Sequence, residues 1–306
     1  MVDALVIHVD DVGMCHGANA AFVELSHLGA VTSGSVMVPC PWFPEIASLA
    51  AADQRLDLGV HLTLNAEKQA YRWSTVSGLG QSSGLVDDDG YMWRDVTSVR
   101  THANPDAVEI EWRAQIDRAI EAGIDVTHLD AHMGSSMAPE FCAIYLRLAV
   151  EYRLPALITA TLGDYAPHGH LAGVTDADFA PFVQVARTHG LPIVDRVIET
   201  NFGRPNGTPA DYQAAITAAT ARQADALGET ESGQSNGQEQ LVFCAFHPNA
   251  PGPGEIEIIE PETHHVRIDE YELFKTVAWK TWLDAQPFEL TGMRELRDQY
   301  RATAAA

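Results

Sequence analysis

Four short stretches of this chain set carboxylates or imidazoles at the ends of apolar runs. Asp10 and Asp11 stand side by side after Leu5-Val6-Ile7-His8-Val9. His61 lies inside Leu58-Gly59-Val60-His61-Leu62-Thr63-Leu64. His128, Asp130 and His132 alternate along Val126-Thr127-His128-Leu129-Asp130-Ala131-His132, and His247 follows Leu241-Val242-Phe243-Cys244-Ala245-Phe246. Two adjacent carboxylates repel, and burying either without a partner is costly. Aspartate together with histidines is a ligand set for a divalent metal, which would supply the missing positive charge. One carboxylate can then hold the ion. The other can stay free to take a proton from a water that the metal has made more acidic.

Each stretch also has a plainer reading. An Asp-Asp pair is commonly a solvated strand end, and Asp11 could cap a helix starting near Gly13. A single His61 among apolar neighbours is more often a hydrogen-bonded core residue. Alternation puts His128, Asp130 and His132 on one face of a strand, which an edge strand would also tolerate. What favours chemistry is the coincidence of four polar strand ends in one chain. In parallel α/β folds the functional residues gather at the carboxyl ends of the strands.

The surrounding pattern predicts such a fold. Strand-like runs at 4–9, 35–39, 56–64, 126–131, 156–160, 193–199 and 241–246 alternate with helix-like segments at 17–28, 43–52, 105–122, 139–151 and 211–227. Helices over 271–284 and 293–300 close the chain. The helix at 105–122 has the clearest signals, with Pro105 at its start, Asp106, Glu109 and Glu111 early and Gly123 after it. Repeated βα units imply a mostly parallel sheet, open or closed into a barrel. No composition break marks a second domain, so a single domain is expected. Residues 66–104 read as an insertion with turn signals and Tyr71, Trp73, Tyr91 and Trp93; residues 228–240 read as a polar surface loop. The insertion's aromatics suit a lid or a sugar-stacking wall, and equally a patch that packs the insertion onto the barrel.

Composition narrows the partners. The 306 residues carry 42 acidic against 19 basic side chains, a formal net charge of −23, which disfavours nucleic acid and anionic membranes. No apolar run is long enough to span a membrane. Met1-Val2-Asp3 lacks a basic leader, so a cytoplasmic location is expected. Cys15, Cys40, Cys142 and Cys244 are far apart and read as free, mostly buried thiols. Phosphate-binding glycine loops and the G-x-S-x-G elbow are absent, which argues against nucleotide and serine-hydrolase chemistry. The pairs His168/His170 and His264/His265 read as surface or supporting residues, and Arg204, in the loop after 193–199, could reach a substrate. The oligomeric state is open, a homodimer included.

At the four stretches the sequence resembles the YdjC/ChbG (HpnK-like) family of carbohydrate deacetylases. The matching pieces are His8-Val9-Asp10-Asp11-Val12-Gly13, Leu58 through Leu64, Thr127-His128-Leu129-Asp130-Ala131-His132 and Phe246-His247-Pro248, in the family's order. Val12 replaces the family's usual aromatic, and Met133-Gly134-Ser135 stand where more histidines commonly follow. The resemblance implies an irregular, TIM-barrel-like (β/α) barrel related to the polysaccharide deacetylases. It implies one divalent metal, zinc or magnesium, on Asp11, His61 and His132, with Asp10 as general base and His247 as general acid. The implied reaction removes acetyl from an N-acetylated sugar, such as a chitooligosaccharide or related glycan or glycolipid. His128 and Asp130 are then expected to orient the ligands. A metal-dependent barrel isomerase or epimerase, and a non-catalytic sugar-binding protein of the same fold, are the alternatives.

Overall fold

The structure, a computed structural model, describes residues 4–164, 170–203, 207–221 and 240–303. Its centre is β1 (Ala4–Val12), a strand whose Leu5, Val6, Ile7 and Val9 have no exposed surface. On one side β1 pairs with β2 (Ser33–Val36), then β3 (Leu58–Leu62) and β4 (Leu129–Ala131). On the other it pairs with β6 (Leu241–Phe246) and then β5 (Arg196–Glu199). A two-residue β7 (Glu289–Leu290) joins the start of β1. Every pairing is parallel.

The two edges of this sheet are linked by the segment 155–160. Leu129 N–H donates to Pro155 O and Leu157 N–H to Leu129 O, both at 2.9 Å. Val194 N–H, just before β5, donates to Ile158 O at 2.9 Å. Two single bridges, Leu129 with Ala156 and Thr159 with Val194, thus carry the sheet round into an irregular barrel. The expected strand at 156–160 is this thin stave.

Helices clothe the outside, so the strands are apolar outward as a parallel sheet requires. They include α1 (His16–His27), α2 (Phe43–Ala52), α3 (Val96–His102), α4 (Pro105–Glu121), α5 (Pro139–Tyr152), α6 (Asp176–Thr188) and α7 (Pro209–Thr220). After β6 come α8 (Glu255–Ile259), α9 (His264–Phe274), α10 (Val277–Asp284) and α11 (Met293–Thr303). The start of α4 forms as its sequence predicts: the Asn104 side chain accepts from Asp106 N, and Pro105 opens the first turn. The single helix expected at 271–284 is instead two. Thr276 Oγ1 accepts from Trp279 N at 3.1 Å, an N-cap that starts a new helix after Lys275. The helix α6 was not anticipated, although Thr175 and Asp178 form a reciprocal capping box.

Inside the barrel, below its mouth, the lining is polar. His8 places Nδ1 2.8 Å from Ser33 Oγ and Nε2 3.0 Å from Ser35 Oγ. The His128 ring lies against Gly59, where an added methyl would sit 2.4–2.7 Å from its atoms. All four cysteines are free and buried, as expected. Among the described residues no helix is long and apolar enough to cross a membrane. Much of the expected polar loop, residues 228–239, lies outside the described residues.

Candidate active site

Adjacent residues of a strand normally point to opposite faces, yet Asp10 and Asp11 line the same cleft at the barrel mouth. The backbone explains this. From Val9 to Val12 the β1 register advances three residues while β2 advances two, from Gly34 to Val36. The extra residue is a bulge, and Asp11 takes it up with φ 59°. Aspartate is one of the few residue types that tolerates this left-handed backbone. The kink returns Asp11 to the inner face beside Asp10.

The bulge brings Asp11 to two imidazoles. Its Oδ1 lies 3.1 Å from His132 Nδ1 and 3.5 Å from His61 Nε2. The three ligand-competent atoms fall within 4.8 Å of one another, and all three residues are buried. Asp11 Oδ1 nevertheless accepts no well-aligned hydrogen bond. A buried carboxylate oxygen facing two ring nitrogens without a proton aligned between them fits a cation at their centre. Each imidazole is held from behind by a carboxylate: His61 Nδ1 lies 2.9 Å from Asp130 Oδ1, and His132 Nε2 lies 2.9 Å from Glu67 Oε2. Such partners fix the ring and leave the other nitrogen free to bind metal. Ser35 Oγ and His8 Nε2 in turn brace Asp130 at 2.9 and 3.1 Å.

The other two predicted residues sit beside this trio. Asp10 Oδ2 is 4.0 Å from His61 Nε2 and 3.7 Å from His247 Nε2. The two aspartates are driven apart electrostatically. Burial holds the Asp10 carboxyl well above the usual range, with His61 opposing and Asp130 and Asp11 adding to the rise. Burial pushes Asp11 the same way, but Arg267 and then His132 outweigh it and hold its carboxyl well below that range. The guanidinium donates to Asp11 Oδ2 at 2.8 Å and clasps Glu260 through Nε and Nη2 at 2.9 and 2.6 Å. Neighbouring carboxyls with opposite shifts are suited to different tasks. Burial lowers His132 too, yet Glu67 and Asp11 dominate and lift it to about 10. His247 has no such counterweight, and burial takes it down to about 3.

The remaining predicted positions fall into several groups. His128 does not touch the trio; its Nδ1 pairs with Thr127 Oγ1 at 3.0 Å, and its Nε2 stays 3.9 Å from Asp130. Arg204 and His168 lie outside the described residues, whereas His170 lines the cleft. Three of the insertion's four aromatics are tied into the protein, the packing that the sequence equally suited. Trp73 is buried in a cluster with Met14, Met37 and Met92, Tyr71 OH donates to Met14 O, and Trp93 Nε1 donates to Gly84 O. The insertion also delivers charge, through Glu67 and through Lys68, which bridges Glu67 and Glu260. Phe202 is the aromatic that faces the cleft, edge-on to His247 with ring centroids 5.0 Å apart. Sequence reasoning passed over Glu67, Lys68, Glu260, Arg267, Phe202 and His8. Only His8 left a signal, since it shares the alternation that puts Asp10 inward.

The chain is similar to several known proteins. The chain is 37% identical over 158 residues to a carbohydrate deacetylase of Thermus thermophilus, covering 52% of this chain and 54% of that protein. It is 32% identical over 176 residues to a carbohydrate deacetylase of Brevibacillus brevis, covering 58% and 67%. The matched stretch therefore spans about half the length of the Thermus relative. A solved structure from Enterococcus faecalis, which carries the name of a cellobiose-phosphate cleavage protein, has a TM-score of 0.72 at 19% identity. It covers 97% of this chain and 99% of its own, and it supports the fold alone. The family model described as YdjC-like protein matches residues 4–285, nearly the whole length, and the chain belongs to that family.

Proposed function

We propose that this protein is a metal-dependent carbohydrate deacetylase, hydrolysing the acetamide of an N-acetylated sugar to acetate and an amino sugar. The observation that carries the reading is the buried trio Asp11, His61 and His132, whose ligand atoms lie within 4.8 Å of one another, with Asp10 and His247 beside it. The names of the matched relatives support the same substrate class. One carboxylate oxygen and two imidazole nitrogens suit zinc or another transition metal better than magnesium, which prefers oxygen donors. Four unpaired buried thiols fit a reducing compartment, and on that ground we place the protein in the cytoplasm.

A divalent ion held by Asp11, His61 and His132 would polarise the acetyl carbonyl, acidify the attacking water and draw the Asp10 pKa down to a working range. Asp10 then accepts the proton of that water. His247 is neutral at rest, so the proton it gives the leaving nitrogen must arrive during the reaction. The 3.7 Å between Asp10 Oδ2 and His247 Nε2 makes Asp10 its nearest carboxylate source. Arg267 keeps Asp11 ionised and oriented throughout. Among the described residues the cleft is lined by Asp10, Asp11, Glu67, Asp130, Glu199 and Glu260 against the cations Lys68 and Arg267. That balance favours an uncharged sugar over a phosphorylated one.

The test pairs two isosteric changes with metal analysis and acetate release. Asp10→Asn is expected to keep metal and lose turnover, and Asp11→Asn to lose metal. If both variants retain metal and release acetate normally from a panel of N-acetylated sugars, the assignment is wrong.

A further inference from the structure

We propose that Thr200 and Glu270 are positioning residues for His247: they hold its ring in the Nδ1–H form and leave Nε2 as the nitrogen that handles the proton. The proposal deepens the deacetylase reading and rests on it for the direction of the proton. The hydrogen-bond geometry on which it is built stands apart from that reading.

Three elements meet behind His247. Thr200 follows β5, His247 follows β6, and Glu270 projects from α9. Glu270 has no exposed surface and Thr200 only 2%. Thr200 Oγ1 donates to Glu270 Oε1 at 2.7 Å, Tyr212 OH reaches the same oxygen at 3.1 Å, and the His247 backbone N–H donates to Oε2 at 2.7 Å. Both carboxylate oxygens are thus accepting. A hydroxyl has one proton, and that of Thr200 goes to Glu270. Its lone pairs remain for His247 Nδ1, 2.9 Å away, so Nδ1 must carry hydrogen. The opposite ring nitrogen then faces Asp10 Oδ2 and Asp11 Oδ2, at 3.7 and 3.9 Å. Phe202 lies against the ring, with centroids 5.0 Å apart and planes at 66°.

The arrangement is hard to justify by stability. Burying a carboxylate fully is expensive even when it is bonded, and an apolar side chain of similar size usually serves a core as well. Burial lifts the Glu270 carboxyl to about 7, against the pull of its three donors. A buried acceptor reaching an imidazole through one hydroxyl is instead what keeps a proton-handling histidine in one tautomer.

The experiment compares Thr200→Val, which removes the hydroxyl at nearly constant volume, with Thr200→Ser, which restores it. Both are assayed at about pH 8, above the Glu270 pKa, in the zinc-loaded protein. The expected result for Thr200→Val is a kcat loss of about 10–100-fold, the size usual for partners that orient a histidine, with KM within about twofold. Thr200→Ser is expected to recover most of the loss. Long-range 15N–1H spectra read the ring directly: Nδ1–H in wild type and Thr200→Ser, Nε2–H or a mixture in Thr200→Val. Wild-type His247 found as Nε2–H overturns the proposal, as does Thr200→Val that keeps both Nδ1–H and full kcat, or a serine variant that fails to rescue. If no N-acetylated sugar is turned over but the tautomers behave as stated, the deacetylase reading fails and the locking of the ring stands.

Discussion

Binding of a divalent ion should expel a proton from His132. In the ion-free protein its imidazole faces two carboxylates, Asp11 Oδ1 at 3.1 Å and Glu67 Oε2 at 2.9 Å. Against the lowering by burial, these lift its pKa to about 10. At about pH 8, below that value, the ring is then mostly protonated. A metal needs the neutral ring, so each ion bound releases about one proton from His132. His61, whose pKa is also raised, adds a share: burial lowers it, but Asp130 and Asp10 outweigh that. The apparent binding constant should therefore rise at least about tenfold per pH unit between about pH 7 and 9. Titration calorimetry in buffers of different ionisation enthalpy counts the protons directly. His132→Ala should lower the count by about one. A wild-type release below about half a proton, or affinity that is flat over this range, would refute the electrostatic picture of the site. The same shift has a stability counterpart. A raised histidine pKa stabilises the fold fully below about 6.5, its unfolded value, and that contribution is lost as pH rises through about 10. The chelated protein should accordingly melt at lower temperature as pH climbs from neutral, and added zinc should flatten the trend.

Other consequences follow from single contacts. Glu67→Gln removes the carboxylate behind His132 and should weaken metal binding by about 10–100-fold; unchanged affinity in a chelator competition would count against Glu67 as an orienting partner. Arg267→Leu takes the guanidinium from the buried Asp11 and Glu260, leaving only His132 and Lys68 opposite them, and should destabilise the metal-free fold by about 3–5 kcal/mol in urea unfolding. A loss below about 1 kcal/mol would show that the clasp is not a fully buried pair. Gly59→Ala forces a methyl into the His128 ring and should cost about 1–3 kcal/mol by the same assay. A neutral result there would mean that the ring moves aside freely.

The strand ends were legible because polar residues inside apolar runs stand out. Asp10, His61, Asp130 and His247 each interrupt a sequence that would otherwise be plain core. The parallel sheet followed from the alternation of strand and helix and its closure only from the family resemblance, while the thin stave at 155–160 and the division between α9 and α10 turned on local hydrogen bonds. Arg267 could not be found this way. It sits in the polar run His264-His265-Val266-Arg267, where a basic side chain looks like surface, and it meets Asp11 across 256 positions of chain. Glu67 and Glu260 were hidden for the same reason, as acidic residues in already polar loops. Trp73 stood open between two readings. An aromatic in a polar insertion invites a sugar-binding reading, and here it anchors the insertion to the barrel.

The bulge at Asp11 has one further consequence, for how this chain can drift. Glutamate and cysteine bind divalent ions as well as aspartate does, and at most coordinating positions a lineage can move among them. At φ 59° the backbone itself screens the replacements, because short side chains such as aspartate and asparagine adopt that conformation more readily than most. Asparagine would keep the shape and surrender the charge. Position 11 is therefore constrained twice, by the ion and by the peptide torsion, and interchange among metal-binding residues is penalised at the one place where two carboxylates must share a face.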